Sequence, residues 1–104
     1  MATVTNVHEV RTREGRYADA ARTLHILGSP IRLQIIDMLR DGSLPVRDMV
    51  NALGVTQPLV SQHLKVLKDA NFVTSERNGR LNIYSLSSNA LVNLIDTTIE
   101  INGA

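Results

Sequence analysis

The chain has 104 residues, of which 43% are hydrophobic and 20% charged, and its formal net charge is +1. A chain of this length and composition forms about one small globular domain, which is often stabilised by oligomerisation. It contains no cysteine, which excludes disulfides, thiolate metal sites and thiol redox switches.

The N-terminal segment is polar, and no window of the sequence has the length and hydropathy of a membrane span. We therefore expect a cytoplasmic protein with no membrane partner. Residues 1–14 are predicted to form a flexible N-terminal tail. Residues 15–104 are predicted to form one folded domain.

Four helices are predicted before residue 70. The first has an apolar face that includes Tyr17 and Leu24, and Gly28 ends it. Ser29 and Pro30 are typical of the N-cap and first turn of a second helix, which ends at the pair Asp41-Gly42. A shorter third helix ends at Gly54, and its apolar residues are Val46, Met49, Val50 and Leu53.

The fourth helix follows the third after a short turn that contains glycine, which is helix-turn-helix spacing. It begins at Thr56 as N-cap, with Pro58 in its first turn. Its apolar residues recur at a helical period and are predicted to point inward: Val60, Leu64 and Leu67. Its polar residues are then exposed on the other side: Gln57, Ser61, Gln62, Lys65 and Lys68.

A β-hairpin and a last helix are predicted after Asn71. The segments FVTSE and RLNIYSL have a period of two, and Asn78-Gly79 between them predicts a type I′ turn with Arg77 and Arg80 beside its tip. The last helix has an apolar stripe, formed by Leu91, Val92, Leu94, Ile95 and Ile99. This stripe is broad for the end of a small domain, so a second copy of the chain is its simplest cover.

This order predicts a winged helix-turn-helix fold, which is mainly α with a small β-hairpin, and a dimer. The second helix of such a pair fits the major groove of DNA, and a basic hairpin tip lies near the adjacent backbone. Residues 56–86 hold four basic and two acidic side chains, a local balance of +2, which agrees with a polyanion partner. The alternative is a winged-helix protein-interaction module, whose polar helix face is simply solvated.

Three segments resemble the ArsR/SmtB family of bacterial winged-helix repressors: LGSPIRLQIIDML, DMVNALGVTQPLVSQHLKVLKDANFV and ERNGRLNIYSL. The combination of Ser-x-His-Leu-x-x-Leu at residues 61–67 with Arg-x-Gly-Arg at residues 77–80 is specific. The resemblance covers about residues 17–101. It implies a transcriptional regulator that represses from a pseudo-palindromic double-stranded DNA operator as a homodimer joined through terminal dimerisation helices. The interface residues would be Tyr17, Leu24, Leu91, Leu94, Ile95 and Ile99.

The resemblance also implies two kinds of DNA contact. Bases would be read by Gln57, Pro58, Ser61 and Gln62, whereas Lys65, Arg77, Asn78 and Arg80 would lie near phosphates. Thr56 and His63 complete the set of DNA-binding residues, with His63 expected to make packing and polar contacts rather than to bind metal. Pro58 stands where a small polar residue is common in the family, so we expect a shifted sequence preference.

The usual inducer-sensing residues of the family are missing. The places of its Cys-x-Cys motif hold Pro45 and Arg47, and those of its zinc and cobalt ligands hold Ser88, Ala90, Ile101 and Ala104. A non-standard metal site, for nickel or zinc, would combine His8 or Glu9 with Asp96 or Glu100 of a partner chain. We favour the alternative that Asp96 and Glu100 form a solvated helix face. An organic inducer and no inducer at all stay open, and no cofactor is predicted.

No enzyme activity is predicted. The sequence has no GxSxG motif and no glycine-rich phosphate loop. Its three histidines fall on three separate predicted segments, without a shared pattern of acidic partners.

Overall fold

The computed structural model describes residues 7–103. In this part of the chain, five helices and three short strands follow one another as α1 (Val7–Leu27), α2 (Pro30–Met38), β1 (Leu44–Pro45), α3 (Val46–Leu53), α4 (Gln57–Asp69), β2 (Val73–Asn78), β3 (Leu81–Leu86) and α5 (Ala90–Ile101). This order is a winged helix-turn-helix, as predicted. None of the helices within residues 7–103 combines the length and hydropathy needed to cross a membrane.

The three strands form one antiparallel sheet in the order β1-β3-β2. Val73 pairs with Leu86 at the base of the hairpin, and Asn78 pairs with Leu81 at its tip. The two-residue strand β1 lies against the other side of β3, with Pro45 opposite Ile83. Because β1 is so short and contains proline, which is tolerated at a sheet edge, no period of two marks it in the sequence.

One hydrophobic cluster holds the helices and the base of the wing together. The three inward residues of α4, Val60, Leu64 and Leu67, have no exposed surface, and they pack with residues of every other helix. Burial of a side chain of this size contributes about 1.5 to 3 kcal/mol relative to exposure. The buried hydrophobic residues of this core are Leu27, Ile35, Ile36, Leu39, Met49, Val60, Leu64, Leu67, Val73, Leu91 and Ile95.

Helix α1 is longer at its N-terminus than the sequence predicts. A flexible tail is expected over residues 1–14, but α1 already begins at Val7, so the expected domain boundary falls inside a helix. The apolar face of this helix starts only at Tyr17, and hydrophobic periodicity therefore carries no signal for its first turns. Residues 1–6 lie outside the described residues, and the tail stays a prediction there.

The wing turn is centred one residue later than the sequence predicts. Gly79 has a φ of 64°, whereas neither Asn78 nor Arg80 has a positive φ, and Asn78 still belongs to strand β2. The type I′ turn over Asn78-Gly79 is therefore wrong. Gly79 and Arg80 are the central residues, and a positive φ at the first of them alone is what a type II′ turn requires.

The start and end of α4 are defined by two left-handed residues. Gly54, with a φ of 67°, ends α3 and turns the chain toward α4. Asn71, with a φ of 63°, follows the C-cap of α4. There the amide of Asn71 donates to the carbonyl of Lys68 at 2.9 Å, and that of Phe72 to the carbonyl of Leu67 at 2.9 Å. This pair of bonds is a Schellman motif, which fixes where α4 stops and β2 starts.

Candidate nucleic-acid interface

Helix α4 presents a continuous polar face to solvent. The predicted DNA-contacting residues at its start and along one side are all exposed: Thr56, Gln57, Pro58, Ser61, Gln62 and Lys65. The opposite side of α4 packs on α2, α3 and β2. Val60, Leu64 and Leu67 are buried at i, i+4 and i+7 and so fix the rotation of the helix about its axis. The polar residues of α4 therefore point outward.

The wing tip adds positive charge beside this face. Arg77, Asn78 and Arg80 are all exposed. The Nε of Arg77 donates to the carbonyl of Gly79 at 3.2 Å, across the turn. Within the described part of the chain, neither arginine forms an ion pair, so both charges are available to phosphates.

A polar cleft of about 190 Å³ joins α4 to the wing. Gln57 and Ser61 of α4 line it together with Arg80 of the wing turn. The structure thus brings together residues that the sequence assigns separately to base reading and to phosphate contact. The cleft is also lined by Arg47 of α3 and Asn82 of β3, which sequence reasoning does not assign to the DNA surface. The sequence feature that points to Arg47 is its position in the first turn of α3, the helix that precedes α4.

The two lysines of α4 hold exposed polar partners. Lys65 forms an ion pair with Asp69 one turn later, with 3.2 Å between Nζ and Oδ2. The Nζ of Lys68 donates to the hydroxyl of Ser75 on β2 at 2.7 Å. Exposed pairs of this kind are weak and are screened by salt, so a phosphate can replace Asp69 as the partner of Lys65.

His63 does not share the exposed face of α4. It is half-buried on the side that meets α2, and its Nδ1 accepts a hydrogen bond from the Nε of Arg32 at 3.1 Å. Burial, together with the positive charge of Arg32, lowers the pKa of His63 from its ordinary value of 6.5. The position of His63 is that of a packing and polar-contact residue, and its contact with DNA stays a prediction.

The predicted dimer residues divide into two groups. Tyr17, Leu24 and Ile99 are 76%, 57% and 49% exposed, as residues that await a partner would be. Leu91 and Ile95 are only 7% and 4% exposed, because they belong to the core of their own chain, and their place in an interface between copies stays a prediction. The apolar stripe of α5 is broad because one edge of it faces the core and the other faces solvent. Leu94 is half-buried.

The candidate metal ligands are only partly described. Asp96 accepts hydrogen bonds from Arg40 in the turn after α2, with 2.7 Å between Nη2 and Oδ1, so its carboxylate already has a partner in its own chain. Glu100 is exposed, and the side chains of His8 and Glu9 lie outside the described residues. Among the side chains that the structure describes, no three potential His, Cys, Asp or Glu ligands gather at one point. Binding of nickel or zinc across two chains stays a prediction.

Comparison with known proteins gives one consistent result. Residues 29–75 match the family described as "Bacterial regulatory protein, arsR family". The HTH-type transcriptional repressor SmtB of Mycobacterium tuberculosis (strain H37Rv) is 45% identical over 76 residues, which is 73% of this chain and 56% of SmtB. The HTH-type transcriptional regulator NmtR of the same strain is 42% identical over 82 residues, or 79% of this chain and 68% of NmtR.

The fold is similar to that of NolR from Sinorhizobium fredii, known from a crystal structure. The TM-score is 0.78 at 29% identity, over 100% of this chain and 99% of the other. The chain spans only 56% of the length of SmtB.

Proposed function

Because the chain belongs to the ArsR family of bacterial regulatory proteins, we propose that it is a sequence-specific DNA-binding transcriptional repressor. In this proposal, α4 enters the major groove and the wing contacts the adjacent backbone. Two copies of the chain bind a pseudo-palindromic operator. The single observation that carries the proposal is the cleft that Gln57 and Ser61 of α4 line together with Arg80 of the wing.

The chemistry of this face suits the edges of base pairs. A glutamine amide can bond an adenine through two hydrogen bonds, and a serine hydroxyl can donate to or accept from either base of a pair. Gln57, Ser61 and Gln62 are exposed on one side of a helix whose other side is buried in the core. Side chains held in this way keep a fixed spacing, which sequence-specific reading requires.

The exposed apolar surface of α1 and α5 supports a homodimer. Two shallow apolar grooves run between α1, α2 and α5, and they share Leu33, Ile95 and Thr98. Leu24 lines one groove and Ile99 the other. A second copy brings the same exposed residues, so a two-fold axis would place the apolar surfaces of both chains against each other.

The proposal is tested by selection of DNA from a pool of random-sequence duplexes about three helical turns long. At physiological salt we expect enrichment of an inverted repeat whose half-sites lie about 34 Å apart, since each recognition helix reads one major groove. Fluorescence anisotropy with the enriched duplex then measures affinity. A double variant, Gln57→Ala with Gln62→Ala, should lose the preference, whereas Asn93→Ala on the exposed side of α5 should keep it.

Two results would overturn the proposal. Enrichment of no sequence by the folded protein would favour the protein-interaction module. Selection of the same sequence by the wild type and by the double variant would show that α4 does not read it.

A further inference from the structure

Arg32 joins three helices through two hydrogen bonds. It lies on α2, where its side chain is partly buried. Its Nη1 donates to the carbonyl of Ile26 in α1 at 2.9 Å, and its Nε donates to the Nδ1 of His63 in α4 at 3.1 Å. The last turn of α1 and the middle of the recognition helix are therefore held by one guanidinium group.

The first of these bonds follows from the helix boundary. Ile26 is the second-last residue of α1, so its carbonyl is among those that a helix end leaves without an intrahelical donor. The residue four positions later is Pro30, which has no N–H to offer. Arg32 supplies the donor instead, and its positive charge is favourable beside the C-terminal end of a helix.

The second bond depends on the protonation state of His63. Because Nδ1 accepts, the neutral ring carries its proton on Nε2. A protonated ring has an N–H on both nitrogens and cannot accept from Arg32, and its positive charge then faces that of the guanidinium group. The other charged groups around the same cavity are Lys65 and Asp69 of α4, which pair with each other at 3.2 Å.

We propose that Arg32 is a positioning residue that holds the recognition helix against the end of α1 through His63, and that protonation of His63 breaks this link and lowers affinity for the operator. The proposal rests on the proposed DNA-binding function. Since the pKa of His63 is lowered from 6.5, the link is complete above that pH and is lost as the pH falls through the pKa of His63 in the folded protein.

The link itself is tested without DNA, by ¹⁵N NMR of the histidine rings during a pH titration. For His63 we expect the Nε2–H tautomer and a pKa below 6.5, and for the Arg32→Gln variant a pKa shifted upward because the facing charge is gone. His25 is exposed on α1, and its ring signals in the same spectra are the internal control. A proton on Nδ1 of neutral His63, or an unchanged His63 pKa in the variant, would contradict the proposal.

The consequence for DNA is tested by anisotropy with the selected duplex between pH 8 and pH 5. One pH unit below the pKa of His63, only about a tenth of the protein has the neutral ring, so we expect affinity to fall about tenfold. His63→Asn should remove this fall, because the amide oxygen of asparagine takes the place of Nδ1 and does not titrate. His25→Asn should retain it.

Two outcomes overturn the role in binding: a wild-type affinity that does not fall on acidification, or the same fall in His63→Asn. A failed selection of any duplex would count against the proposed function, while the NMR titration would still decide whether Arg32 holds His63. His63→Phe fills the space of the ring without an acceptor, and we expect it to fold, as shown by circular dichroism, and to bind weakly at every pH.

Discussion

Gln62 is an exposed amide on the outer side of α4, and its expected role is to read one base pair. We expect Gln62→Ala to relax discrimination at one operator position by about 1 to 3 kcal/mol, because a bidentate amide contact to adenine is lost. Affinities for a set of duplexes with single base-pair changes measure this. Asn93→Ala, an equivalent truncation on α5, should change none of them. A uniform loss over all duplexes would show that Gln62 does not read a base.

Arg80 carries an exposed charge at the second central position of the wing turn. Its expected partner is a phosphate, which has the same charge in every sequence. We therefore expect Arg80→Ala to weaken selected and random duplexes about equally, and to lower the slope of log affinity against log salt by about 1. Arg22→Ala removes a charge from α1 and is the control. Loss of affinity for the selected duplex alone would contradict a phosphate contact.

Arg40 lies in the turn after α2 and joins this turn to α5 through the carboxylate of Asp96. Hydrogen bonds from Arg40 hold the pKa of Asp96 below its ordinary value of 3.8. A lowered pKa in the folded state means that the pair stabilises the fold above pH 3.8 and that this contribution disappears as the pH falls through the pKa of Asp96 in the folded protein. We expect Arg40→Gln to raise the pKa of Asp96, measured by ¹³C NMR of the carboxyl group. Arg22→Gln should leave it unchanged.

At the scale of an element, the backbone conformation of Asn71 determines where α4 ends. A left-handed conformation is strained for residues with a Cβ, and asparagine tolerates it better than alanine does. We expect Asn71→Ala to lower the free energy of unfolding by about 1 kcal/mol and Asn71→Gly to maintain or raise it. Urea unfolding monitored by circular dichroism measures both. Asn93→Ala, inside α5 where φ is ordinary, should not destabilise. Equal stabilities of the two Asn71 variants would refute the argument.

The buried residues of a helix can be predicted from its sequence when all of its apolar residues pack against the same core. The prediction is weaker when some of them are exposed to solvent instead. The buried and exposed sides of α4 follow from hydrophobic periodicity alone, since this helix packs on one side and faces solvent on the other. The stripe of α5 is less informative. Leu91 and Ile99 look alike in sequence, yet the first is in the core of its own chain and the second is exposed.

Contacts between distant residues cannot be predicted from such patterns. Arg32 and His63 are 31 positions apart, and their bond depends on how α2 crosses α4. Arg47 and Asn82 likewise join the cleft through the packing of α3 against the wing. The place of the wing turn depends on strand register, and the pair Asn78-Gly79 predicts a turn there without deciding which two residues are central.

For the whole molecule, the decisive expectation is that two chains associate through the exposed edge of α5. Ile99→Asp places a charge in the apolar surface without entering the core, so we expect a folded protein shifted toward monomer. Its affinity for a duplex with two half-sites should fall, while its affinity for a single half-site should not. Analytical ultracentrifugation and anisotropy measure these changes. Asn93→Asp adds the same charge on the exposed side of α5 and should remain like the wild type.

Ile95→Asp is not a suitable test, because Ile95 is buried in its own chain and its replacement would unfold the protomer. A wild-type protein that is monomeric at the concentrations where it binds a full operator would refute the dimer. The same conclusion would follow if Ile99→Asp were monomeric and bound the full operator as tightly as the wild type does.

In the proposed dimer, the division of α5 into core residues and exposed residues makes operator occupancy sensitive to the copy number of the protein. Leu91 and Ile95 belong to the core of their own chain, while Ile99 is 49% exposed and available for association. When monomers predominate, the concentration of dimer rises with the square of the total, so doubling the copy number raises it about fourfold. A regulator assembled in this way responds to its own synthesis more steeply than a monomeric one, without any ligand.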